Sequence, residues 1–335
     1  MSIAEVVFNL PIERSFHYLI PPQARETLEP GMRVAAPFGR RERLGLVVAR
    51  VARSPIAELK AIRRVIDPAP VIAGQRLALA RWLAAYYYCS LGEALFAMVP
   101  SDLRLRPLKD LPLPEAPALA APPQLTEAQA RGLAAIAEAL DGRPPTSVLL
   151  HGVTGSGKTE LYLRAVDLVL ARGQGAICLI PEIALSPQTI ERFRGRFGER
   201  VAVWHSGLSA RQRAQQWQAV AAGRCPVLVG ARSAVFAPLP RLGLIVVDEE
   251  HETTYKQEDA PRYHAREVAC ARARMAGATV ILGSATPSIE SYHAATTGRM
   301  RLVELPQRMG GRPLPAVELI DLGGEWGTRS RGGPL

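Results

Sequence analysis

Cysteine is scarce in this chain. Four occur in 335 residues, Cys89, Cys178, Cys225 and Cys270, and none forms a C-x-x-C pair. That spacing excludes a disulfide framework and a zinc site built from such pairs within these residues. It also fits a reducing compartment, so the expected location is the cytoplasm. Lysine is as rare, four of the 41 basic residues, so arginine carries nearly all the positive charge. Acidic residues number only 31, which leaves a net charge of +10 and a pI near 9.9. A soluble chain this basic usually meets an anion, most often nucleic acid, although genomic arginine bias gives the same number. No uninterrupted apolar run approaches the roughly 18 residues of a membrane span. Met1-Ser2-Ile3-Ala4-Glu5 lacks the basic start and apolar stretch of a secretory signal. What remains is a globular composition, 48% hydrophobic, long enough for two or three domains.

Residues 1 to about 105 alternate short β-like runs with turn signals. Val34–Gly39 turns into Leu44–Val51, and Ala73 to Tyr88 has helical spacing, with Leu77, Ala80, Leu83, Ala84 and Tyr87 on one face. This reads as a small β-rich domain with a helix. Between Pro107 and Pro123 stand six prolines, so residues 106–123 read as an extended linker. From 124 to 309 apolar strands alternate with helical stretches. The strands expected are Ala176–Ile180, Val201–Trp204, Val227–Val229, Leu244–Val247 and Thr279–Leu282. That alternation predicts an α/β lobe, a parallel sheet with helices on both faces. Residues 310–335 form a Gly/Arg/Pro-rich tail.

The most informative run is Gly152-Val153-Thr154-Gly155-Ser156-Gly157-Lys158-Thr159, a G-x-x-x-x-G-K-[ST] phosphate loop. Its glycines let backbone N–H groups converge on a phosphate. Lys158 reaches the β/γ-phosphates, and the Thr159 hydroxyl helps hold Mg²⁺. The apolar run Ser147–Leu150 leads in and the helical run Glu160–Leu170 leads out. Strand, loop and helix together place an anion on a helix N-terminus.

Leu244-Ile245-Val246-Val247 runs directly into Asp248-Glu249-Glu250-His251. Asp248 is expected to bind Mg²⁺ and Glu249 to polarise the attacking water. Such a cluster also occurs as a plain helix start. Gly283-Ser284-Ala285-Thr286-Pro287 follows the last expected strand, with Ser284 and Thr286 as candidate coupling residues. Tyr255 and Tyr263 flank Lys256, Arg262 and His264, offering stacking faces beside cations for a single strand; an ordinary surface loop has the same composition. Arg232, just after a strand end, suits a backbone phosphate or a surface ion pair equally.

Phosphate loop, D-E-x-H and S-A-T, in that order, resemble superfamily 2 helicases and translocases. More of the chain is similar to one family, the primosomal replication-restart helicases (PriA, primosomal protein N′). The stretch Leu125–Gln129 resembles its Q motif, which implies that Gln129 reads the adenine edge. Residues 180–188, 204–209 and 230–238 resemble its strand-contacting segments, and 253–264 its aromatic-rich loop. Residues 12–18, 34–39 and 59–61 resemble its 3′-DNA-end-binding domain, whose pocket the resemblance puts at Phe16, His17, Tyr18, Gly39 and Lys60. His17 departs from the Asp common there; a carboxylate accepts a hydrogen bond from a 3′-OH more readily than an imidazole.

The resemblance implies a RecA-like lobe behind a small β-rich DNA-binding domain, using ATP and Mg²⁺. Forked or single-stranded DNA with a 3′ end, primosome proteins and single-stranded DNA-binding protein are the implied partners, with no membrane. It departs from the family in two ways. A linker stands where a winged helix is usual, and the second lobe, its arginine finger and the zinc-binding insertion are missing from these residues. The family's zinc is therefore expected only in the full protein. The 335 residues are expected to bind ATP and DNA without unwinding. A non-hydrolysing fork-binding module and another superfamily 2 translocase are the alternatives.

Overall fold

The computed structural model describes residues 2–100, 121–142, 146–309 and 318. Most of the proline-rich linker and nearly all of the tail lie outside the described residues.

The N-terminal part is a five-stranded antiparallel sheet. Its strands are β1 (Ile3–Phe8), β2 (Phe16–Leu19), β3 (Arg33–Phe38), β4 (Arg41–Val51) and β5 (Arg64–Val65), in the order β2-β1-β4-β3-β5. The expected hairpin is β3–β4, closed by Gly39 and Arg40, with Gly39 at φ +61°. Alternate residues fill one face: Val6, Phe8, Tyr18, Val34, Ala36 and Val47 form its core. Two helices follow, α1 (Gln75–Tyr86) and α2 (Leu91–Ala97). Ser90 and Glu93 start α2 with a reciprocal capping box, Ser90 N–H to Glu93 at 2.9 Å and Glu93 N–H to Ser90 Oγ at 3.0 Å.

The second part is α/β. Its strands are β6 (Val148–Gly152), β7 (Gly175–Leu179), β8 (Val201–Trp204), β9 (Val227–Gly230), β10 (Leu242–Asp248), β11 (Thr279–Ser284) and β12 (Arg301–Leu305). All pair in parallel, in the order β12-β6-β11-β10-β7-β9-β8. The helices are α3 (Glu127–Asp141), α4 (Lys158–Ala171), α5 (Pro187–Phe197), α6 (Ala210–Ala221), α7 (Ala265–Ala276) and α8 (Ile289–Thr296). Strand alternation divides the core in two. Val148, Leu150, Cys178, Val203 and Val246 face α3, α4 and α5, whereas Leu149, Ile177, Ile245, Val247 and Leu282 face α6 and α7. Continuous apolar runs are what a sheet covered on both faces requires. β12 is an addition to the strands expected from sequence; it pairs only with β6 and leaves Glu304 exposed.

The two parts are not separate in packing. Leu79, Leu83 and Leu95 from α1 and α2 share one buried cluster with Trp217, Phe236 and Val268 of the lobe. Arg76 crosses this boundary. Its guanidinium lies 4.8 Å from the Trp217 ring centroid and donates to the Val71 carbonyl at 2.7 Å. Burial of the guanidinium, with Arg272 nearby, pushes its pKa down to about 9.

Candidate functional site

The phosphate loop joins β6 to α4. Gly157 is the helix N-cap at φ +86°, in the left-handed region that favours glycine. The loop is held from behind: Val153 N–H donates to Leu305 O at 3.2 Å and Met309 N–H to Gly155 O at 2.9 Å. Gln129 reinforces it. Its Oε1 accepts from Thr126 N–H at 2.9 Å in a capping box, and its Nε2 donates to Ser156 O at 3.0 Å. The side chain is 1% exposed. Gln129 thus braces the loop from the side of α3.

Lys158 Nζ donates to Gly152 O at 2.9 Å and lies 3.3 Å from Glu249 Oε1. Thr154, Gly155, Lys158, Thr159, Asp248 and Glu249 line one cleft of about 600 Å³. The structure therefore brings the sequence-predicted nucleotide residues together. Asp248 ends β10 at the sheet centre, its Oδ1 accepting from Tyr162 at 2.8 Å and its carbonyl from Tyr255 at 2.7 Å. Burial raises its pKa, while the Tyr162 hydrogen bond and Lys158 pull the other way. Glu249 stands at φ +42°, an uncommon conformation for a non-glycine residue.

Behind Glu249 the S-A-T segment closes in. Ala285 N–H and Ser284 Oγ each lie 3.4 Å from Glu249 Oε2. Ser284 Oγ is 2.8 Å from His251 Nδ1, and Thr286 Oγ1 is 3.3 Å from His251 Nε2. The expected coupling residues thus touch the expected catalytic carboxylate directly and through His251. Sequence reasoning missed Glu250. It is fully buried and accepts from Arg266 at 2.8 Å, Ser288 N–H at 2.7 Å and Ser291 Oγ at 3.0 Å. It also missed Tyr162; its four-residue spacing from Lys158 was the available signal, since both leave α4 on one face.

The fit to MgATP is supported locally. Ser156 Oγ is buried without a partner in the loop. Within the cleft, Lys158, the Asp248 and Glu249 carboxylates and the Thr159 hydroxyl form a donor set suited to triphosphate and Mg²⁺, with Arg192 and Arg196 also on its wall.

The surface expected to meet DNA differs from its sequence reading. Tyr255 and Tyr263 are 1% and 4% exposed, so they offer no stacking face. Tyr263 packs edge-on against Phe236 at 4.9 Å, and Tyr255 caps the Asp248 carbonyl. Lys256 lies 5.4 Å from the Tyr87 ring centroid, and Tyr87 Oη accepts from His264 N–H at 3.0 Å. Arg232 donates to the carbonyls of Thr254 and Lys256 and forms no salt bridge among the described residues. Arg262 stays exposed. Segments 180–188, 204–209 and 230–238 do converge, at a cleft of about 1080 Å³ beyond the ends of β7, β8 and β9 that includes His205, Arg213 and Arg232.

In the N-terminal sheet the Phe16 ring packs edge-on against Phe38 at 5.2 Å, and buried Tyr18 donates to Pro37 O at 2.7 Å. His17 points to the other face, 2.9 Å from Ser54 Oγ and 3.6 Å from Glu5, its partner across the β1–β2 ladder. Gly39 and Lys60 line a groove of about 790 Å³ with Arg40, Arg41 and Arg63. Leu19 N–H donates to Lys60 O at 3.0 Å, which ties that groove to β2. No helix among the described residues is long and apolar enough to cross a membrane.

Comparison with known proteins matches both parts. Residues 5–100 match the 3′ DNA-binding domain (3′BD) family and residues 126–295 the DEAD/DEAH box helicases. The replication restart protein PriA of Treponema pallidum (strain Nichols) is 43% identical over 328 residues, 96% of this chain and 49% of that protein. The PriA of Bacillus subtilis (strain 168) is 50% identical over 201 residues, 60% of this chain and 25% of its own. The PriA of Haemophilus influenzae is 31% identical over 398 positions, 96% of this chain and 54% of its own. Those 398 positions exceed the 335 residues here by 63, so at least that many residues of the Haemophilus protein have no counterpart. The chain spans about half the length of the relatives it matches from end to end. With the phosphate loop, Asp248 and Glu249 lining one cleft, and with these matches over residues 5–100 and 126–295, the chain belongs to the DEAD/DEAH box helicase family and is similar to the N-terminal part of PriA.

Proposed function

We propose that the chain is the N-terminal part of an ATP-dependent 3′-to-5′ DNA helicase that recognises stalled or repaired replication forks and initiates primosome assembly. The observation that carries this is the junction at Glu249. One carboxylate sits 3.3 Å from the phosphate-loop lysine and within 3.4 Å of the S-A-T segment. A change at the nucleotide is thereby felt by a segment that communicates with DNA in translocating helicases. Lys158 and the loop N–H groups hold the phosphates, and Thr159 and Asp248 hold Mg²⁺, which supplies charge neutralisation at the phosphates when bound. Glu249 is the acceptor that orients the attacking water, and its fixed position comes from Ser284 and Ala285.

DNA contact divides between two places. The basic groove at Gly39, Arg40, Arg41, Lys60 and Arg63 takes the 3′ end, and the cleft beyond β7, β8 and β9 takes the strand backbone through Arg213 and neighbouring groups. The buried Tyr255 acts through the Asp248 backbone instead of stacking on a base. Primosome proteins and single-stranded DNA-binding protein are partners of the full-length protein.

The described residues contain one parallel sheet, and an arginine supplied to the phosphates by a second lobe contributes roughly 10³–10⁵ in turnover. The 335 residues alone are therefore expected to bind MgATP and forked DNA and to turn over ATP very slowly. The test measures ATP hydrolysis with forked DNA, for this chain alone and mixed with a second-lobe fragment from a PriA relative. Stimulation only in the mixture is expected. Equal activity in the two samples refutes the division of labour, and no activity in either favours a non-hydrolysing fork-binding module.

A further inference from the structure

Tyr162 stands four residues after Lys158, so both side chains leave α4 on the face toward the sheet. Its ring is 2% exposed, and its hydroxyl donates to Asp248 Oδ1 at 2.8 Å. Space for that hydroxyl exists because residue 283 is glycine. A Cβ on Gly283 would lie 1.7 Å from Tyr162 Oη. Gly283 is also the residue paired with Asp248 across the β10–β11 ladder. Helix, strand end and neighbouring strand thus converge on a single carboxylate oxygen. The Glu249 carboxylate is not part of this contact; its oxygens face Lys158, Ser284 and Ala285, while its backbone N–H also reaches the Asp248 carboxylate.

We propose that Tyr162 is a positioning residue that restricts the metal to one oxygen of Asp248. With Oδ1 engaged by the phenol, Oδ2 is the freer oxygen for Mg²⁺ or one of its waters, and the ring holds the carboxylate in that orientation. Mg²⁺ demands near-octahedral geometry and keeps several waters, so a single oriented oxygen suits it better than a freely rotating bidentate carboxylate. Partners that orient metal-binding carboxylates typically contribute roughly ten- to a hundredfold in metal affinity. The proposal rests on the nucleotide-site reading above.

The test follows a fluorescent ATP analogue binding to the 335-residue chain, first in EDTA and then across a Mg²⁺ series. Tyr162→Phe keeps the ring and removes only the hydroxyl. The expected result is metal-free affinity within about twofold of wild type and a Mg²⁺ half-saturation raised roughly tenfold or more. A Mg²⁺ half-saturation unchanged from wild type overturns the proposal, as does a parallel loss of metal-free affinity. If wild type shows no Mg²⁺-dependent binding, the nucleotide-site reading itself fails, and the proposal with it. A second measurement does not depend on how the variant folds. 3-Fluorotyrosine at position 162 is expected to shift its ¹⁹F resonance when Mg²⁺ joins the nucleotide complex, and an unmoved resonance overturns the proposal.

Discussion

Glu250 anchors the D-E-E-H segment, and its removal offers a sharp test of how the site is held. The carboxylate is fully buried and pairs with Arg266 at 2.8 Å, whose side chain is only 14% exposed. It also accepts from Ser288 N–H, at the N-cap of α8, and from the Ser288 and Ser291 hydroxyls. Glu250→Ala strands the Ser288 N–H and removes the buried partner of Arg266, which is left with half-exposed Glu267 at 3.0 Å and Ser288 Oγ at 2.7 Å, while the two serine hydroxyls keep only each other at 3.0 Å. Breaking a buried pair by removing one partner costs about 3–5 kcal/mol, and the slight exposure of Arg266 sets the expectation near the lower end. For a lobe of this size, about 3 kcal/mol lowers Tm by roughly 6–12 °C. Glu250→Gln keeps an acceptor for Ser288 N–H and loses the charge, so about half that loss is expected. Thermal unfolding followed by circular dichroism measures both variants. A Tm for Glu250→Ala within about 1 °C of wild type refutes the reasoning, because the stranded groups would then have found other partners.

Two further outcomes are expected. Burial, with Arg266 nearby, holds His264 below its ordinary pKa of 6.5. Folding therefore favours the neutral ring: the contribution is complete above about pH 6.5 and is lost as pH falls through the folded-state value. His264 Nδ1 also accepts from Arg266 N–H at 3.3 Å, a role asparagine keeps, so urea titrations from pH 5 to 8 are expected to show a shallower acid-side loss in His264→Asn. An identical pH profile in both proteins contradicts the assignment. Ser284→Ala removes the hydroxyl between His251 and Glu249. With a second-lobe fragment present, DNA-stimulated turnover is expected to fall roughly tenfold or more while ATP affinity stays within about twofold. A matching loss of affinity places Ser284 in nucleotide binding instead.

The α/β lobe was legible because its strands are buried on both faces, and uninterrupted apolar runs such as Val201–Trp204 signal that burial directly. β12 was not, because Arg301-Leu302-Val303-Glu304-Leu305 is an edge strand with one exposed acid, and its pairing with β6 is a long-range event. The phosphate loop and D-E-E-H were legible as motifs, since their chemistry depends on local spacing. Glu250, Tyr162 and the internal role of Gln129 were not. Each is defined by a partner far away in sequence: Arg266, Asp248 and Ser156 respectively. Tyr255 and Tyr263 misled for the same reason. Aromatics beside cations read as exposed, and only packing against the Asp248 carbonyl and Phe236 makes them core.

The most direct measurement is equilibrium binding of ATP to the purified 335-residue chain and to its Lys158→Ala variant, with Mg²⁺ and with EDTA. Saturable binding that strengthens with Mg²⁺ and is abolished in Lys158→Ala is the predicted result. Equal binding by the two proteins, or no binding by wild type at any Mg²⁺ concentration, contradicts a nucleotide site at residues 152–159.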